Sequence, residues 1–402
     1  MGLASLADFF RRRARRVGAM NKNNQRADLL LLLFSVFATA AANSVVFASM
    51  SELQEQYGYA DSALGLIAGT GFAMGLLVQL FVAPLADRGY GKNLIQVGLG
   101  LAAIGSVIFA MGDSLLTFVF ARGVVGASIG MTFPAVRALA AHLDEKRSAE
   151  RLGAVAGMEI GGFVSGPLIG SLIIGPFGLD ATFLMFGALA VVAILIISPR
   201  KFPELASNTE SQRLSFDLLR IRNVRVALIL TLAVTFPTGM FDALWDRFLD
   251  DLGGNNAMTG LTFAVYGLPF IFFSARAGKM IDKRSPMAVA LWLVVPISLL
   301  TVLYGVIKNP WVILGVGLFE GLVQASVIPA ALSAIAKAAP VGRASAAQGL
   351  SGAVNVFGQM VAAFIAPSIY GAYGAFITFF VVAIGIAAIA SIAGFMHLRS
   401  PR

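Results

Sequence analysis

Cysteine is absent from this 402-residue chain, histidine occurs twice, and charged residues make up only 13%. The first absence excludes disulfides, thiolate metal sites and thiol chemistry. The two histidines, His142 and His397, offer neither zinc-ligand spacing nor a Ser-His-Asp arrangement, so an enzyme is not expected. Soluble domains carry about 25% charged residues. At half that content, no water-facing surface large enough for a 42.2 kDa globule can be assembled. A phosphate-cradling G-x-x-x-x-G-K-[ST] loop is missing too. Gly91-Lys92 continues as Asn93 and Gly278-Lys279 as Met280, which excludes a nucleotide-driven pump of that type.

What the chain has in excess is apolar: 58% hydrophobic residues, 31 Phe, 43 Gly and a mean hydropathy of +0.82. The apolar residues fall in stretches long enough to cross a hydrocarbon core of ~30 Å as helices. Twelve spans are expected, at 28–50, 62–84, 93–112, 115–141, 150–175, 180–198, 224–249, 258–281, 286–307, 310–336, 344–370 and 374–396. The first is too long for a signal peptide and lacks a small-residue cleavage pattern. Ahead of it, residues 1–27 form a basic leader with Arg11, Arg12, Arg13, Arg15 and Arg16, suited to an anionic inner leaflet.

Charge orients the bundle. With the N-terminus inside, Lys308 is the single Lys or Arg in the outer loops, and four Arg fall inside spans. The rest collect in inner segments. This follows the positive-inside rule and places both termini in the cytoplasm of a cell (inner or plasma) membrane. The outer loops instead carry an acidic rim that includes Glu52, Asp61, Asp250 and Asp251.

The polar inner segment 199–223 divides the spans into bundles at 28–198 and 224–396, with a short tail at 397–402. The halves repeat one template. Arg122-Gly-Val-Val-Gly-Ala-Ser128 aligns with Glu320-Gly-Leu-Val-Gln-Ala-Ser326, Asp87-Arg88 with Asp282-Lys283, and Gly153, Glu159 and Gly162 with Gly349, Asn355 and Gly358, at offsets of 195 to 198. Parallel repeats of this kind hold a substrate between them near the midplane.

Three motifs resemble those of the major facilitator superfamily, in particular its twelve-span drug:proton antiporters. Ala83-Pro-Leu-Ala-Asp87-Arg88-Gly-Tyr-Gly91-Lys92 is similar to the family's G-x-L-a-D-R-x-G-R-K loop, with Ala for the first Gly and one extra residue. Arg122 with Gly126 resembles its R-x-x-x-G element. Gly162-Phe-Val-Ser-Gly166-Pro167-Leu-Ile-Gly170-Ser resembles its antiporter motif, with Ser at the last place. The resemblance implies an all-α membrane protein of two pseudo-symmetric six-helix bundles. It implies that spans 1, 4, 7 and 10 line a cavity, and that the glycines of span 5 meet span 8. It further implies that Asp87, Arg88 and Lys92, echoed by Asp282 and Lys283, latch the halves as a gating loop.

A charge at the centre of a span costs roughly 2.5–3.5 kcal/mol on insertion scales, so each one needs a reason. Asn43, Arg122, Asp242 and Glu320 reach similar depth on the four cavity spans, and an ion pair or water network between Arg122 and Glu320 is expected. On span 7, Thr231, Thr235, Thr238, Asp242 and Asp246 share one face. Asp242, Asp246, Glu159 and Glu320 are therefore the candidate proton carriers. Asp246 could instead pair with Arg247, and Glu159 with Arg122 or a backbone group. Trp245, Gln324, Asn355 and Gln359 join Asn43, Arg122, Thr238, Asp242 and Glu320 as candidate cavity residues.

The expected function is secondary active transport: proton-coupled efflux of amphiphilic or cationic small molecules by alternating access, with no cofactor beyond the proton gradient. Competing readings are proton-coupled uptake of a small nutrient and a lipid or lysolipid flippase of the same fold. The expected partners are a small-molecule substrate, protons and membrane lipids, with no nucleic acid, and the chain is expected to work as a monomer.

Overall fold

The computed structural model describes residues 25–143, 148–200, 202, 216–281, 285–340 and 343–398. The basic leader up to residue 24, most of the central segment, Asp282, Lys283 and the last four residues lie outside the described residues, as does the side chain of Asp87.

Helix is the only regular structure among the described residues, as the bilayer demands of a chain whose backbone groups must pair within each segment. Span 1 is α1 (Gln25–Ala48), whose last turn, Val45–Ala48, tightens to 3-10. A short helix outside the expected spans, α2 (Met50–Tyr57), follows and stops at Gly58, which takes the left-handed conformation. Then come α3 (Asp61–Phe81), α4 (Gly91–Ala110), α5 (Leu115–His142) and α6 (Ser148–Ile197). The second half contains α7 (Arg222–Asp251), α8 (Asn256–Ile281), α9 (Pro286–Val306), α10 (Pro310–Ala338) and α11 (Ala344–Leu398). Side-chain caps mark several starts. Ser114 accepts the Thr117 amide, Ser285 that of Ala288 and Asn309 that of Trp311.

Among the described residues, nine helices are long and apolar enough to cross a membrane. Two of them, α6 and α11, are each broken by a glycine of positive φ, Gly178 and Gly374. These glycines stand 196 residues apart, inside the offset range of the sequence repeat, so the duplication extends to the backbone turn between spans 5 and 6 and between spans 11 and 12. With both breaks counted and α8 included, the arrangement is consistent with twelve spans.

Each half has its own apolar core. One gathers Leu32, Phe47, Leu99, Phe118 and Phe186; the other gathers Val234, Phe248, Tyr304, Ile335 and Phe379. The halves meet where small residues let backbones approach. A methyl group added at Gly65 of α3 would sit 2.8 Å from the Ala363 carbonyl of α11, and one at Gly69 would strike the Phe364 ring. Gly260 and Gly267 of α8 are closed in the same way by Ser171 and Val164 of α6.

The glycine face of α6 has a different neighbour from the one expected. Gly162 lies against the Phe37 carbonyl and Ala40, Gly166 against Ser44 and Ala41, and Gly170 against Val45, all on α1. The contact to α8 is made by Val164, Leu168 and Ser171 instead. Spacing marked the bare face of α6 but not which helix fills it.

Candidate translocation site

Of the four residues marked on spans 1, 4, 7 and 10, Asn43, Arg122 and Asp242 come together at the junction of the halves, Glu320 bonds within the second half, and all four are buried. Arg122 of α5 is 1% exposed, Asp242 of α7 6% and Glu320 of α10 2%, with Asn43 of α1 buried beside them. Arg122 donates from one terminal nitrogen to both the backbone carbonyl (2.8 Å) and the side-chain oxygen (2.7 Å) of Asn43. The Phe47 ring lies 4.8 Å from its guanidinium carbon. Gly71 of α3 backs the guanidinium so closely that any added carbon would collide with it. Arg122 thus occupies a slot made of α1, α3 and α5, within electrostatic reach of the Asp242 carboxylate from the other half.

Glu320 does not meet Arg122. Its Oε2 accepts a 2.7 Å hydrogen bond from the Tyr304 hydroxyl, while Oε1 is buried with no hydrogen-bond partner. Span 9 carries no intramembrane charge, yet its Tyr304 reaches inward to this acid. Charge alone could not reveal it; an isolated Tyr hydroxyl in an apolar helix is the signal that could have. Tyr266 of α8 lies within electrostatic reach of both Glu320 and Asp242.

Trp245 is packed inside the C-terminal bundle. Its indole nitrogen donates to Thr262 at 2.8 Å, and its ring stands edge-on to Phe241 and Tyr304. Gln324 is buried one turn beyond Glu320. Thr238, Asn355 and Gln359 are partly exposed at the junction, and Asn355 Oδ1 is buried without a partner. The stripe on α7 is partly self-satisfied, since Thr231 bonds the Ala227 carbonyl and Thr235 the Thr231 carbonyl.

Two candidate proton carriers have partners that the sequence did not name. Glu159 of α6 is held by Arg137 of α5 rather than by Arg122, through a bidentate pair at 2.8 and 2.5 Å. Asp246 turns away from Arg247, and its Oδ2 accepts the Ser51 amide of α2 at 2.8 Å. Of the gating loop, Ala83–Arg88 forms a 3-10 turn ending in an exposed Arg88. Lys92 donates to the Ser198 carbonyl at 2.6 Å, capping the end of α6 within its own half.

No cluster of His, Asp and Glu that could hold a metal ion occurs among the described residues. What the site offers is a buried cation and two buried acids where two bundles meet.

The comparisons with known proteins agree with this architecture. The chain is 24% identical over 375 residues to multidrug resistance protein MdtG of Proteus mirabilis (strain HI4320), covering 87% of this chain and 91% of the relative. It is 24% identical over 324 residues to MdtG of Salmonella paratyphi C (strain RKS4594), covering 76% and 80%. Among solved structures, the nucleoside transporter NupG superposes with a TM-score of 0.77 at 12% identity, over 93% of this chain and 100% of that one. A bacterial homolog of the human lysosomal transporter Spinster, inward-facing and occupied, gives 0.76 at 14% identity, over 93% and 98%. The model of the Major Facilitator Superfamily matches residues 32–245 and 227–402. With two helical bundles, a duplicated template and a family match along nearly its whole length, this multi-pass membrane protein belongs to the major facilitator superfamily.

Proposed function

We propose that this chain exports amphiphilic or cationic small molecules across a cell membrane in exchange for protons, by alternating access between its two bundles. The distribution of Lys and Arg supports cytoplasmic termini, so the end of the bundle that carries α2 faces outward. The observation that carries the reading is Asp242, a carboxylate buried in mid-span and facing the Arg122 cation of the other half. A charge is not kept at that depth without use, and a carboxylate can lose its charge by taking a proton. Arg122 can then act as its electrostatic counterweight. The resemblance to MdtG supports a drug-like cargo and the outward direction. Asp242, Glu320, Glu159 and Asp246 are the proposed proton carriers. Asn43, Arg122, Thr238, Trp245, Gln324, Asn355 and Gln359 are proposed to form or support the cargo site. Gly162, Gly166, Pro167 and Gly170 pack span 5, and Asp87, Arg88, Lys92, Asp282 and Lys283 are assigned to the gating loops.

The test is flux in proteoliposomes with an imposed pH gradient and a lipophilic cation such as rhodamine 6G as cargo. Cargo movement that follows the gradient, reverses with it and is lost in Asp242→Asn supports the exchanger. Movement indifferent to the gradient, or of labelled lysolipid alone, replaces it with a facilitator or a flippase.

A further inference from the structure

At the end of the bundle opposite the central segment, polar groups join the halves. The Ser51 amide, in the first turn of α2, donates to Asp246 of α7. Asn256, the first residue of α8, donates from its side chain to Glu52 of α2. Arg247 of α7 reaches Asp61 of α3 at 3.5 Å. Gly371 of α11 also abuts the Asp61 carboxylate, with no room for a side chain. The structure is therefore shut at the α2 end.

The contacts at this shut end are not equivalent. Arg247 is held more tightly within its own half, by Asp251 at 2.7 Å and Asp250 at 3.0 Å, and Asp251 in turn accepts from Tyr370 at 2.6 Å. Asp61 keeps Gln54 at 2.7 Å. Their mutual bond can part without orphaning either charge. Asp246 and Glu52 are different. Asp246 is 2% exposed and serves as the missing cap of a helix whose N-cap Ser49 turns its hydroxyl back to the Val45 carbonyl and makes no capping bond. Glu52, on the next residue after Ser51, has its Oε2 buried with no hydrogen-bond donor. Closure thus brings together two acids from opposite halves, while the nearby cation Arg247 faces Asp61, Asp250 and Asp251.

We propose that Glu52 and Asp246 form a proton-binding outer gate, in which closing the outer end takes up a proton between the two acids. The natural place for that proton is the unpartnered Glu52 Oε2. The groups facing the pair are Glu55 on α2, Asp250 on α7, and the uncharged Asn256 and Thr259 on α8. None of these supplies a compensating cation. Burial pushes the Glu52 carboxyl above its usual range, the Asn256 bond opposes this, and the charge of Asp246 adds to it. In the sign convention of linkage, a group whose affinity for protons rises on closure favours the closed form at low pH and disfavours it as pH rises. The inference rests on the proposed membrane orientation and exchange function: acid outside would shut the outer end and drive the chain toward its inward-facing form.

The native absence of cysteine allows a direct test. Cysteines at Gln56 and Ala257, exposed and on opposite halves, would carry spin labels in the full chain in lipid nanodiscs. Their separation is read by double electron–electron resonance, without cargo or gradient. On lowering the pH from about 8 to about 5, the short-distance population should grow, by up to about tenfold in the closed-to-open ratio per pH unit for one proton. Glu52→Gln and Asp246→Asn should each keep the short population at the alkaline end and flatten the pH response. Ser51→Pro deletes the amide donor where a helix tolerates proline, and should lower the short population at every pH. A wild-type distribution that ignores pH or opens on acidification overturns the gate. So does a pH response left intact by Glu52→Gln in a protein that elutes as a single species, which decides the matter even where Asp246→Asn fails to fold. The exchange reading fails separately: a pH-responsive gate with no gradient-driven flux leaves the gate standing and removes the exchanger.

Discussion

Arg137 of α5 and Glu159 of α6 grip one another through two parallel hydrogen bonds, with Arg137 half-exposed and Glu159 largely covered. Fork-to-fork geometry gives such a pair direction as well as energy. Its partial exposure to solvent limits its contribution to about 1 kcal/mol. Arg137→Ala and Glu159→Gln are therefore expected to lower the melting temperature slightly and to the same extent. The exchanged pair Arg137→Glu with Glu159→Arg should recover stability, while gradient-driven flux stays reduced, as the proposed carrier role of Glu159 requires. Recovery of flux together with stability would remove Glu159 from the carriers and leave the pair a purely structural contact.

Asp242→Asn retains size and hydrogen-bonding capacity but cannot change charge. Cargo binding, read as thermal stabilisation by rhodamine 6G, should persist within about threefold. Acceleration of efflux by a pH gradient should vanish, because no group in mid-span would then exchange a proton while facing Arg122. A mutant that still follows the gradient would move that role to Glu320 or Asp246.

Tyr304→Phe removes the hydroxyl that donates to Glu320 and leaves this buried acid with Gln324 as its remaining side-chain donor. Loss of a bond to an acid of this kind costs about 1.5–3 kcal/mol. A clear fall in thermal stability is expected, largely rescued in the double variant Tyr304→Phe with Glu320→Leu. Independent, additive losses would show that the hydroxyl is not supporting the acid.

Gly126→Ala should abolish or sharply reduce folded yield, whereas Gly153→Ala should be silent. At Gly126 the added methyl meets the Gly71 backbone, which cannot rotate aside, and overpacking costs about 1–3 kcal/mol or more. At Gly153 it meets open space. Fluorescence-detected size-exclusion of tagged variants separates the two outcomes.

Asp217 ties the 3-10 turn Phe216–Arg220 to Arg343 at the start of α11, through bonds of 2.9 and 3.0 Å. Those hydrogen bonds hold the Asp217 carboxyl below its usual range. A depressed acid adds stability above its unfolded value and loses it as pH falls through the folded one. The melting-temperature advantage of wild type over Asp217→Asn should thus be present at neutral pH and close below about pH 4. High salt should shrink it as well, since the pair is exposed.

The amino-acid sequence by itself determined that the chain is an all-helical membrane protein, where its spans lie within a few residues, and that it is built twice from one template. Those properties follow from the hydrophobicity and length of each segment, which the bilayer reads one helix at a time. It also marked Asn43, Arg122, Asp242 and Glu320, because a buried polar group in lipid stands out against its own helix. Partnership was decided only by the tertiary structure. That Arg122 is held by Asn43 and Gly71, Glu320 by Tyr304, Glu159 by Arg137 and Asp246 by Ser51 depends on how helices far apart in sequence rotate and cross. Helical periodicity gives the face on which a side chain lies, but not which neighbour fills the space in front of it.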